Sequence, residues 1–450
     1  MKYCYACISF VLSAVCAFGQ SSSILEKLIE QSNHYYAANK AASFRTLAAE
    51  AQAAVIRNEY KPKIEAAYQL NYATYNNITG MVFPSFITPI SGPPAISNSY
   101  NGVFGSAAAL LAKWDIVTFG YQRSLLKQAE SQANSSKARE LLQEFRQNVQ
   151  LSSIYLDWLL ANRLMRVYQN NLNRVDTALQ LSNALTKKGL RPGTDSASWS
   201  SEYAKAKVLL KEQEKSAKIL FIQLQQFIGS DTNLVASDTA LLTRLPGLSQ
   251  ENSALQNPEL QALQQEMESQ KSRIAVLRQS KKPLLSLYAT GYARGSGVEA
   301  ANDIKTFQGL YFQRYNYGVG AQLSVPLFEG ARVKVKISQQ QQLVNAASED
   351  FKLMQWQLQK ETEEADTTLQ KAIGIVSLMQ SQQRSANFLF NAVSARYKAG
   401  LVSYADVVLA QQQLIQSEND VEKSKWEVWK ALLYKASVSG DLTFFTKQFR

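Results

Sequence analysis

The sequence predicts a mainly α-helical fold with a membrane β part: internally duplicated, long antiparallel helices forming an α-barrel, and four strands per chain. Three observations predict it. The stretch Gly189 to Asp195 in "TKKGLRPGTD" is echoed by Gly400 to Asp406 in "KAGLVSYAD", 211 residues later. Two runs, Tyr121 to Lys188 and Ala331 to Ala399, contain no proline and, between them, one glycine, Gly374. Between the shorter helical stretches lie segments that alternate apolar and polar residues and are rich in tyrosine.

Residues 1–19 read as an export signal. Lys2 precedes an apolar run from Ile8 to Phe18, and small residues at Ala17 and Gly19 suit a signal peptidase, with Gln20 as the first mature residue. All three cysteines, Cys4, Cys7 and Cys16, fall inside it, so disulfides and thiolate chemistry are not expected in the mature chain. A lipid-anchored Cys16 is the competing reading, but Ser13 and Val15 make a poor lipoprotein box. The apolar run is too short to span a bilayer, and no later stretch of 18 apolar residues exists.

The first repeat is assigned to residues 20–228. A helix ends before Lys61-Pro62, because proline stops a helix and drives its predecessor into extended backbone. In the strand that follows, "IEAAYQLNYATY", Ile64, Ala66, Tyr68, Leu70 and Tyr72 share one face while Glu65, Gln69 and Asn71 share the other. Period-two alternation over about 10 to 14 residues suits a membrane strand with lipid on one side and water on the other. A second strand from Asn101 to Trp114 is diluted with Ala and Gly, and its phase stays open. The strand closes at Gly120, and a helix of about 68 residues, roughly 100 Å long, leads to the Gly189 turn and a further helix.

Residues 229–257 read as a linker. The second repeat, 258–437, follows the same order, with Pro283 after Lys282, a strand of open phase from Leu284 to Ala293, and then "YNYGVGAQLSVPLF", where Tyr315, Tyr317, Val319, Ala321 and Leu323 oppose Asn316, Gly318, Gly320 and Gln322. Gly330 stands where Gly120 stood, before the second long run. In that run Phe351, Leu358, Ala365, Ala372, Met379, Ala386 and Val393 recur every seven residues, the mark of helices packed side by side. Residues 438–450 are left as a C-terminal tail. The segments Asn76 to Ser99 and Arg294 to Arg314 carry too much Gly, Pro, Asn and Ser for helix and read as long loops.

Four strands cannot close a barrel, and open edges are not tolerated in lipid. Three copies would supply twelve, so a homotrimer with a 12-stranded β-barrel is expected. The formal net charge of +12 is spread over short Lys/Arg runs without interleaved aromatics, so no nucleic-acid partner is expected. One histidine, His34, and no mature cysteine argue against a protein-built metal site, and no nucleophile motif, phosphate loop or acid pair points to catalysis or a cofactor.

The duplicated strand-to-helix junctions at Pro62, Pro283, Gly120 and Gly330, with the paired "G-L-x-x-x-x-D" turns, resemble the outer-membrane efflux protein family, the TolC-like trimeric channels, from about Ile24 to Tyr434. The resemblance implies a channel in outer-membrane lipid whose helices extend into the periplasm. Its partners would be a periplasmic adaptor and an inner-membrane transporter, in drug efflux or type I secretion. It also implies a gate at the periplasmic turns Gly189 and Gly400, with Thr194, Asp195, Tyr397 and Asp406 at the pore entrance. Val402 stands where well-studied members carry a latch arginine, and Leu409 where a second aspartate would extend the acidic ring. For Asp195 and Asp406 the competing role is helix capping or a favourable first-turn charge. A periplasmic coiled-coil adaptor without a pore is the alternative for the whole chain; it explains the heptads but not the four strands.

Overall fold

Prolines and positive-φ glycines stand at many of the element boundaries of this chain. The computed structural model describes residues 24–74, 76, 81–83, 86–88, 98–229, 244–247, 257–298 and 304–449. The signal segment 1–19 and most of the linker 229–257 therefore lie outside the described residues. The chain divides into two units, one drawn from residues 1–43, 139–261 and 352–450, the other from 44–138 and 262–351. Among the described residues no helix is long and apolar enough to cross a membrane.

The first unit is helical. It contains α1 (Ile24–Tyr35), the start of α2 (Ala37–Asn58), most of α3 (Tyr121–Lys187), all of α4 (Gly193–Ile228), the first residues of α5 (Pro258–Gln279), the larger part of α6 (Glu329–Lys398), and α7 (Tyr404–Ser439) with the short α8 (Thr443–Thr446). The heptad expectation holds on α6: Leu358, Ala365, Leu369, Ala372 and Val376 are buried at alternating steps of seven, four and three residues. Leu369, Ala372 and Val376 join Leu151, Tyr155 and Leu159 of α3, Leu224 and Phe227 of α4, and Val428, Trp429 and Leu432 of α7 in one core. Full burial of each large side chain contributes about 1.5–3 kcal/mol.

Polar contacts zip α3 antiparallel to α7. Asp157 accepts from Trp426 at 3.0 Å, Arg163 is paired with Glu422 at 2.9 Å, Tyr168 accepts from Asn419 at 3.1 Å, and Arg174 is paired with Glu418 at 2.7 Å. Rising numbers on one helix meet falling numbers on the other. The segment assigned to a C-terminal tail is instead packed: Phe445 and Phe449 enter the core and meet Trp429, with ring centroids 6.3 and 5.0 Å away. Three phenylalanines within six residues cover apolar area that a free tail would leave wet.

The second unit carries the sheet. Strands β1 (Lys63–Thr74), β4 (Gly102–Val117), β5 (Leu284–Ser296) and β6 (Arg314–Ser324) form one antiparallel sheet in the order β1-β4-β5-β6. Within the segment read as a long loop, β2 (Met81–Phe83) and β3 (Phe86–Thr88) pair as a short hairpin. Helices α2 and α5 end just before β1 and β5, while α3 and α6 start just after β4 and β6. In an antiparallel sheet this places all four strand-to-helix junctions at one end. Both prolines act alike there: Lys61 donates to the Asn58 carbonyl and Lys282 to the Gln279 carbonyl, each at 3.0 Å.

Register decides the phases that alternation left open. Tyr68 pairs with Ala108, Ala108 with Ala293, and Ala293 with Tyr315, so these four residues share a face. Following the ladder, Ile64, Leu110, Trp114, Leu287 and Val319 lie on that same face. All six charged residues of the four strands, Lys63, Glu65, Lys113, Asp115, Arg294 and Arg314, lie on the other. The apolar face is bare in the single chain, with Tyr317 91% and Val319 80% exposed.

Candidate functional site

The two glycine turns of the first unit are the same object built twice. Gly189 and Gly400 have φ of 71° and 79°, left-handed backbone that glycine adopts without strain. Around each, the glycine N–H bonds the carbonyl three residues back (Thr186, Tyr397) and the following leucine N–H the carbonyl five back (Leu185, Arg396), all at 2.9 to 3.0 Å. That Schellman pattern satisfies the orphan carbonyls of the preceding helix. Leu190 and Leu401, the paired residues after the glycines, are both exposed.

Beyond the turns the copies diverge. Pro192 occupies the N-cap of α4, where it supplies no side-chain cap, and Ser403 the N-cap of α7. Ser403 and Asp406 form a capping box: the Asp406 carboxylate accepts from the Ser403 N–H at 2.9 Å and the Ser403 hydroxyl at 2.6 Å. The Ser403 hydroxyl first, and its backbone N–H second, hold the Asp406 carboxyl below its usual range. Asp406 is exposed, and inside one chain its partners are those of a helix cap.

Asp195 is engaged differently. It sits in the first turn of α4 and accepts a 3.1 Å hydrogen bond from the Tyr397 hydroxyl at the end of α6. The structure thus brings together two of the four residues assigned to the entrance. Thr194 is exposed, and Asp406 stays in its own cap. Tyr397 is 5% exposed and packs with Val175, Trp199, Ala206 and Val407. Burial, and after it the charge of Asp195, pushes its hydroxyl above the ordinary tyrosine range. Tyr404, edge-on to Trp199 at 5.0 Å, donates to the Ser198 carbonyl at 3.1 Å, and burial ahead of nearby acids pushes it up to about 12.

Arg191 is not among the entrance residues expected from the sequence. Its guanidinium lies 4.5 Å from the Tyr397 ring centroid and donates to the Tyr397 carbonyl at 2.7 Å. The duplication interval held the signal, since 211 residues separate Arg191 from Val402 just as they separate Gly189 from Gly400. Arg191 thus stands in the first turn at the position that Val402 holds in the second. Val402 instead packs against the apolar cluster beneath the turn, and Leu409 is exposed. The same interval joins Gly229 and Gly440, positive-φ caps that close α4 and α7, helices of 36 residues each.

Among the described residues no group of three or more His, Cys, Asp or Glu is placed to hold a metal ion. The chemistry of the arrangement is that of a tie between two helix hairpins, with one carboxylate in the tie and one beside it.

The model of the family described as "Outer membrane efflux protein" matches residues 38–230 and 251–429. No curated protein sequence shows significant similarity to the chain. Among solved structures, CusC superposes with a TM-score of 0.74 at 14% identity, covering 93% of this chain and 92% of its own. VceC from Vibrio cholerae gives 0.70 at 15% identity, with coverage of 93% and 96%. The CmeC outer membrane channel of Campylobacter jejuni gives 0.72 at 14%, with coverage of 92% and 85%. At such identities the superpositions establish the fold.

Proposed function

The chain belongs to the outer membrane efflux protein family, and on that premise we propose that it is the passive exit duct of a tripartite efflux or type I secretion system. One observation carries the reading: the four-stranded sheet separates its faces by charge and leaves the outer edges of β1 and β6 without a partner strand among the described residues. Lipid accepts the uncharged face but not the open edges. Two further copies, each adding four strands, close a 12-stranded barrel with the six charged residues of each chain facing water.

The duplicated helices continue that duct into the periplasm, with the turns at Gly189 and Gly400 as its entrance. Three-fold symmetry makes rings of Asp195 and Asp406, which attract cations at a narrow opening. The Arg191–Tyr397–Asp195 contacts hold the two hairpins of each chain together at rest, and opening separates them when an adaptor and an inner-membrane transporter dock. Energy and substrate choice belong to those partners. The signal segment is cleaved on export, and the mature chain divides into repeats at 20–228 and 258–437.

Detergent extraction of outer membranes, gel migration with and without heating, and planar-bilayer recording test the reading together. A heat-modifiable trimer that conducts is expected. A soluble, non-conducting periplasmic monomer would defeat it.

A further inference from the structure

We propose that the end of the sheet remote from the helices carries an oxyanion-selecting site built from Arg294 and Arg314, giving the duct's outer mouth a preference for solutes bearing carboxylate, sulfonate or phosphate groups. The inference rests on the channel reading, which makes the charged face of the sheet the wet one.

Topology fixes the position. Since all four strand-to-helix junctions lie at one end, Arg294, near the close of β5, and Arg314, which opens β6, mark the opposite end. The two are direct cross-strand partners, so their side chains leave the same face side by side, and both are exposed. Like charges directly opposite one another destabilise a sheet. Among the described residues neither guanidinium has an ion-pair partner to relieve that repulsion. The other like-charged pair on this face, Lys63 with Lys113, differs, because Glu65 and Asp115 lie two residues along on the same face. Among the described strand residues the helix end of the face is therefore balanced, while the remote end carries only the two arginines.

The next pair on the same face, Tyr292 with Asn316, adds a hydroxyl and an amide as neutral donors. Guanidinium forks match the paired oxygens of carboxylate and phosphate, which an ammonium does not. Three copies set six guanidinia around one mouth, the arrangement that favours anions in a pore. The entrance rings of aspartate have the opposite sign, so the two ends of the duct discriminate differently.

The test is reversal-potential measurement on reconstituted trimers in a KCl gradient at about 0.01 M salt, where the screening length is about 30 Å. R294Q/R314Q should lower the chloride-to-potassium permeability ratio roughly 10-fold below that of wild type, the low end of what a like-charged cleft does to local ion concentration. Inorganic triphosphate added on the loop side should block wild type and not R294Q/R314Q. R294K/R314K should keep the wild-type permeability ratio and lose most of the block, because the charge survives without the fork. A conducting R294Q/R314Q trimer with unchanged permeability ratio and unchanged block would overturn the site. If neither wild type nor variant conducts, the channel reading falls and takes this inference with it.

Discussion

The Arg191 guanidinium lies over the Tyr397 ring and donates to the Tyr397 carbonyl, so one side chain from the first glycine turn holds the helix end that leads into the second. Cation–π contact contributes about 0.5–1 kcal/mol at exposed sites and a hydrogen bond from a charged donor about 1.5–3. Allowing for partial exposure, Arg191→Ala should cost the resting entrance about 1–2 kcal/mol, a factor of roughly 5–30 in the ratio of open to closed. Single-channel recording reads that ratio directly. Arg191→Lys should fall between, as it keeps the charge but not the planar fork. Equal open probability in all three proteins would remove Arg191 from the gate.

Asp195 has two separable properties, its charge and its acceptance of the Tyr397 hydroxyl. Asp195→Asn keeps an acceptor and loses the charge, whereas Asp195→Ala loses both. Combined with Asp406→Ala, either should reduce cation selectivity and block by multivalent cations in planar bilayers. Only the Asp195→Ala protein should also open more often. If the double variants keep wild-type conductance and block, the acidic ring is wrongly assigned.

The register of the sheet makes a prediction that strand propensity alone does not. Ala67 and Tyr68 are neighbours in β1 on opposite faces. Tyr68→Arg places a cation in lipid at a cost of about 2–4 kcal/mol near mid-bilayer, and trimer yield should collapse. Ala67→Arg faces water and should assemble normally. Heat-modifiable trimer on gels measures both, and equal yields would reverse the faces.

Arg163 and Glu422 join α3 to α7 inside the helical unit, with side chains 20% and 11% exposed. Burial alone drives the Glu422 carboxyl upward, but the Arg163 hydrogen bond, together with the charges of Lys425 and Arg163, outweighs it and holds the group below its ordinary value of 4.5. A carboxyl depressed in the folded state adds stability above its unfolded pKa and loses it as pH falls through the folded value. Glu422→Ala should therefore cost about 3 kcal/mol at neutral pH, the low end for breaking a buried pair. Its melting temperature should decline less than wild type's below about pH 4.5. Parallel acid limbs in a calorimetric pH series would show that the pair does not set acid stability.

Residue identity by itself determined the duplication, the helix-to-strand changes at Pro62 and Pro283, the turns at Gly189 and Gly400, and the heptads of the second long helix. These are local: proline cannot donate, glycine alone sits easily at positive φ, and a seven-residue apolar period defines a face along a single helix. Alternation likewise marked the faces of β1 and β6, whose polar and apolar residues differ strongly. It left β4 and β5 open because alanine and glycine carry too little contrast. Only the ladder, which ties Ala108 to Tyr68 and Ala293 to Tyr315, decided them. Tertiary structure alone likewise joined Arg191 to Tyr397 across 206 residues, and folded Phe445 and Phe449 into the core. A periodic sequence specifies which face of an element turns inward; which residue waits on the other side is settled when distant segments pack.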